Sequence, residues 1–61
     1  MDIAETYRHN ASKERALAAA CDLQNRRAMH EKSAERWEAM AAAAEETADM
    51  ANANAAAKAA A

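Results

Sequence analysis

The sequence contains no glycine, no proline and no phenylalanine, and it has only one cysteine, one tryptophan and one tyrosine. Glycine and proline mark most turns and helix breaks, and the residues that remain, above all alanine, glutamate and arginine, favour helix. The lone Cys21 excludes a disulfide within the chain, so we expect it to serve as a small, partly buried apolar residue. These absences predict an all-α protein.

Large apolar side chains are scarce as well. Fifty-two per cent of the 61 residues, or 32, count as hydrophobic, but 22 of these are alanines, each of which buries little surface. A chain this short needs a disulfide, a metal, a partner or very regular helices to be stable. Because no internal disulfide can form, we expect self-association into a homodimer.

No apolar run approaches the roughly 20 residues that span a bilayer, so we expect no membrane segment. The segment Leu17–Cys21 resembles the small-residue site that precedes a lipidated cysteine. However, charged residues occupy the place where a signal peptide carries its apolar segment. The sequence therefore predicts a cytoplasmic protein.

The chain divides into a helical part, residues 1–49, and an alanine-rich tail, residues 50–61. We expect a first helix over about 2–20, capped by Asp2 with Glu5 three residues later, a turn at about 20–23, and a second helix over about 23–49. The tail lacks bulky side chains, which predicts a frayed or disordered end. The alternative is one long helix that pairs as a coiled coil.

A reversal at residues 20–23 pairs positions whose numbers sum to about 43 or 44. This register places Tyr7 opposite Trp37 and Ile3 opposite Met40, and it brings the polar residues of the two helices together. We therefore predict an antiparallel two-helix hairpin that dimerises into a four-helix bundle. The expected core or interface residues are Ile3, Tyr7, Leu17, Met29, Trp37 and Met40, and the expected polar interface residues are Asn10, Glu14, His30 and Ser33.

Sites for metals, cofactors and catalysis are not indicated. His9 and His30 do not share a helix face, as a metal pair would require. Cys21 with His30 lacks an orienting third group and a pocket. We therefore expect no metal, no cofactor and no enzymatic activity.

The segment Ser33-Ala34-x-x-Trp37-Glu38-x-Met40-Ala41 is preceded by Asn25-Arg26-Arg27 and, on the first helix, by Tyr7-Arg8 with Ala11. With these residues the chain resembles short alphaproteobacterial proteins of uncharacterised function. The resemblance covers about residues 7–41. It implies a helical hairpin with a Tyr-Arg first helix and a Ser-Ala-Trp-Met second helix, and it implies no activity. The alanine tail departs from that pattern.

The function predicted from the sequence is a small homodimeric protein-interaction module that docks onto another, unidentified protein. The alternative is a nucleic-acid-associated regulator that binds phosphates through Arg26, Arg27 and Arg36. Acidic residues interleave with these arginines and the formal net charge is −2, which argues against binding a polyanion.

Overall fold

A computed structural model describes residues 2–60. Residue 1 of the predicted helical part and residue 61 of the predicted tail lie outside the described residues. Helix α1 spans Ile3–Ala20 and helix α2 spans Gln24–Ala60. The two helices pack against each other along the length of α1. The antiparallel hairpin predicted from the sequence is confirmed, and the single long helix was wrong.

Local hydrogen bonds fix the start of α1 and the turn. The side chain of Asp2 accepts from the backbone N–H of Glu5 at 2.8 Å, which confirms Asp2 as the N-cap. At the other end, the N–H of Cys21 donates to the carbonyl of Ala18 at 3.2 Å. Nη2 of Arg27 then donates to the carbonyl of Cys21 at 2.8 Å, which ties the turn to the first turn of α2.

Alanines spaced by seven residues form the buried contact between the helices. Seven residues make almost two helical turns, so positions with this spacing share one face. Within residues 2–60 the buried positions are Ala4, Ala11 and Ala18 on α1 and Ala34 and Ala41 on α2. A second series with the same spacing is half-buried beside them and consists of Tyr7, Glu14, Cys21, His30, Trp37 and Ala44.

The register predicted from the sequence is confirmed at its aromatic layer. The rings of Tyr7 and Trp37 lie with their centroids 5.6 Å apart and their planes tilted by 36°. Such offset, tilted pairs contribute about 0.5–1.5 kcal/mol beyond the burial of their surface. They are the bulkiest side chains in an interface that otherwise consists mainly of alanine.

Four residues expected in the core or interface lie outside the core of the hairpin. The exposed fraction is 59% for Ile3, 47% for Leu17, 57% for Met29 and 42% for Met40. The assignment of these residues to the hairpin core was wrong, because it followed side-chain size, whereas the seven-residue spacing selects alanine. Their assignment to an interface between molecules stays a prediction.

Helix α2 is much longer than α1 and continues to Ala60, past the end predicted at residue 49. The prediction of a frayed or disordered tail therefore differs from the structure over residues 50–60, where alanine maintains the helix. Residues 46–60, here called the overhang, are exposed along their whole length. The long helix gives the molecule its largest dimension, 58 Å.

Candidate interaction surface

Two ion pairs follow one edge of the helix interface, here called the charged flank. Arg8 pairs with Glu45, and Nη2 of Arg15 lies 2.7 Å from Oε1 of Glu38. A second bond at 3.3 Å, from Nε of Arg15 to Oε2 of Glu38, makes that pair bidentate. Both pairs are about half exposed, so each holds the two helices in register more than it stabilises them.

The ion pairs shift the pKa of Arg8, Arg15 and Glu38. Hydrogen bonding to Arg15 lowers the pKa of Glu38 below its ordinary value of 4.5, because the ionised carboxylate accepts both bonds. The hydrogen bonds to Glu38 and Glu45 likewise raise the pKa of Arg15 and of Arg8. Arg8, Arg15 and Glu38 are thus held in the charged form at neutral pH.

These ion pairs were not predicted from the sequence, although the sequence contains a signal for them. Arg8 and Arg15 are seven residues apart, and so are Glu38 and Glu45. In an antiparallel pair of helices, this repeat keeps the two arginines along one edge of α1 and the two glutamates along the facing edge of α2.

The opposite edge carries the exposed apolar side chains and is here called the apolar flank, defined by Ile3, Leu17, Met29 and Met40. On α1, Ile3 and Leu17 each come directly before a buried alanine. Arg8 and Arg15 each come directly after a half-buried residue. At 100° per residue, these positions lie on opposite sides of the buried face. Met40 also precedes a buried alanine, so it borders the same edge from α2, and Met29 lies one turn from Ser33 on that side.

The predicted polar residues occupy two layers of the interface. Nδ1 of His30 donates to Oε2 of Glu14 at 2.6 Å, and these side chains are only 21% and 25% exposed. Their predicted proximity is confirmed. Asn10 and Ser33 are both half-buried, and the observed register places them opposite each other on the apolar flank.

The remaining candidates for chemistry are dispersed. Within residues 2–60, no three histidine, cysteine, aspartate or glutamate side chains are grouped closely enough to hold a metal ion. An open depression on the charged flank is lined by Arg8, Ala11, Ser12, Arg15 and Glu38, and its arginines are already paired with glutamates. Cys21 is half-buried in the turn.

The arginines of the predicted nucleic-acid surface do not form one cluster. Arg27 is bonded to the carbonyl of Cys21, while Arg26 and Arg36 are exposed and separated by ten residues, about 15 Å along a helix. Glu31 and Glu35 lie between them in the sequence. Nucleic-acid binding stays a prediction.

Comparison of the chain with models of protein families, with curated proteins and with solved structures finds no match. The resemblance to short alphaproteobacterial proteins therefore stays a prediction. In the part of the chain that the structure describes, neither helix is apolar over a stretch long enough to cross a membrane.

Proposed function

We propose that this chain is a small cytoplasmic protein-interaction module that works without catalysis, as a homodimer formed through the apolar flank. Two hairpins that meet on this flank make a four-helix bundle, with Ile3, Leu17, Met29 and Met40 between them. Docking onto a further protein is then a property of the dimer.

The observation that supports this proposal most is the contrast between buried and exposed side chains. The buried residues of the hairpin are all alanines, and four much larger apolar side chains on one edge are exposed by 42–59%. Full burial of a side chain of that size contributes about 1.5–3 kcal/mol. A partner that covers the apolar flank would therefore add more apolar burial than the hairpin achieves alone.

A second copy of the chain suits this surface. A two-fold dimer places the same patch of both molecules face to face, so an apolar edge meets an apolar edge. The charged flank lies on the opposite edge and keeps its ion pairs exposed to solvent. The cytoplasmic location rests on cysteine usage, because a single thiol gives no disulfide framework.

Sedimentation equilibrium of matched methionine variants tests the proposal. We expect the wild type to have twice the mass of one chain, and Met29→Gln with Met40→Gln to weaken dimerisation about a hundredfold, because four half-exposed methionines in each dimer lose about 0.7 kcal/mol of further burial apiece. Glutamine has a similar size and helix propensity, so circular dichroism should show the helices retained.

Met50→Gln is the control for this experiment. Met50 is 61% exposed, as accessible as Met29, but it lies in the overhang beyond the end of α1. Dimerisation of this variant should equal that of the wild type. A wild type that sediments as a folded monomer at every concentration would contradict the proposal.

A further inference from the structure

The apolar flank has an apolar, polar, apolar order along its length. Ile3 and Leu17 each lie seven residues from Asn10, about 10 Å along the helix axis at a rise of about 1.5 Å per residue. On α2, Met40 lies seven residues from Ser33 on one side, and Met29 and the exposed Arg26 lie four and seven residues from it on the other. The half-buried Asn10 and Ser33 thus mark the centre of the flank.

Two two-fold arrangements can stack one such flank on another. In the first, the turns of both hairpins lie at the same end, and α1 packs on the α2 helix of the second copy. In the second, the turns lie at opposite ends, and each helix packs on its own counterpart. Both arrangements bring the polar centres together, so the choice between them depends on charge.

The charges of α2 favour the arrangement with turns at opposite ends. Residues 24–36 carry four basic and two acidic side chains, a net charge of +2, and residues 37–60 carry one basic and four acidic, a net charge of −3. Residues 2–20 carry three basic and three acidic side chains, so their net charge favours neither arrangement. The same end brings the two overhangs side by side, each with a net charge of −1 from Glu46, Asp49 and Lys58, whereas opposite ends place the overhangs at opposite ends of the dimer.

We propose, on the basis of the homodimer proposed above, that the two hairpins pack with their turns at opposite ends. Asn10 meets its own counterpart beside the two-fold axis, and Ile3 of each copy packs on the partner's Leu17. The central polar pair fixes the register of the two hairpins, as a single asparagine does in coiled coils.

Disulfide cross-linking in a Cys21→Ser background tests this arrangement. A disulfide requires Cα atoms less than about 7 Å apart. We expect Asn10→Cys to cross-link with itself under mild oxidation, and a mixture of the single variants Ile3→Cys and Leu17→Cys to cross-link to each other. Ile3→Cys alone is the matched control, and it should react at least tenfold more slowly, because its two copies lie about 20 Å apart.

The arrangement with turns at the same end gives the reverse pattern. There a mixture of Ile3→Cys and Met40→Cys cross-links, and Asn10→Cys alone does not, because Asn10 lies over the partner's Ser33. If the loss of Asn10 itself weakens the dimer, the Ile3→Cys and Leu17→Cys mixture still decides the question, because both variants keep Asn10.

The mass of the Cys21→Ser protein by sedimentation separates this inference from the proposed function. A dimer that cross-links through Ile3→Cys and Met40→Cys overturns the arrangement and leaves the homodimer standing. A monomer overturns both.

Discussion

At the scale of single residues, a hydrogen bond between Glu14 and His30 stands out in an interface built mainly of alanine. The pair is about three-quarters buried, and it occupies a position equivalent to that of Tyr7 and Trp37 in the neighbouring layer. Loss of one member leaves the other buried without its partner, which typically costs about 1–3 kcal/mol. The pair therefore specifies the register of the hairpin more than it increases the stability.

A double-mutant cycle tests this role. We expect Glu14→Ala and His30→Ala each to lower the free energy of unfolding by about 1–3 kcal/mol. The double variant should lose clearly less stability than the sum of the two single variants, because it replaces the polar pair with alanines like Ala11 and Ala34. Urea unfolding followed by Trp37 fluorescence measures the three values. Additive losses would show that the two side chains do not act as a pair.

The contacts predicted correctly from the sequence are those between residues that match across the two helices. Tyr7 with Trp37 and Glu14 with His30 follow from one antiparallel register, in which bulky positions coincide and polar positions coincide. Ile3 and Met40 were misplaced in the core because apolar size was used as the criterion. Close contact of two helices instead selects the smallest side chain at the centre and leaves the larger ones at the edge.

At the scale of the helices, the bidentate contact between Arg15 and Glu38 joins α1 to α2 and makes their pairing dependent on pH. The pKa of Glu38 is lowered in the folded state, so folding favours the ionised carboxylate. The stabilisation is therefore complete above the ordinary pKa of 4.5 and is lost as the pH falls through the lower pKa of the folded state.

Acid titration of stability should detect this dependence. We expect the urea midpoint of the wild type to fall on acidification from about pH 6 to about pH 3, and Glu38→Gln to fall less over the same range, because it has no carboxyl group to protonate. Glu46→Gln is the control, since Glu46 lies in the overhang beyond α1, and its titration should follow that of the wild type. Equal slopes for Glu38→Gln and the wild type would contradict the assignment.

The length of α2 illustrates a different reason for an incorrect prediction. The end of the helix was placed near residue 49 because no bulky side chain follows that could dock onto α1. Packing is one source of helix stability, but seven of the eleven residues from 50 to 60 are alanine, which has the highest intrinsic propensity for helix. Propensity alone therefore maintains the overhang without tertiary contacts.

At the scale of the whole molecule, a hairpin 58 Å long and 10 Å in its smallest dimension exposes nearly all of its side chains. The five buried residues in the described range 2–60 are all alanines, so burial contributes little to the stability of the hairpin. A dimer that covers the apolar flank would supply the missing burial, and the folding of each hairpin would then be coupled to association. Stability in that case depends on protein concentration.

Thermal unfolding at several concentrations tests this coupling. We expect the midpoint to rise with concentration, because each tenfold increase favours the dimer over separate unfolded chains by about 1.4 kcal/mol. The midpoint of Met50→Gln should rise in the same way, whereas the midpoint of Met29→Gln with Met40→Gln should be lower and nearly constant, because its hairpins unfold as monomers. A wild-type midpoint that stays constant over a hundredfold range of concentration would show that the hairpin is stable without a second copy.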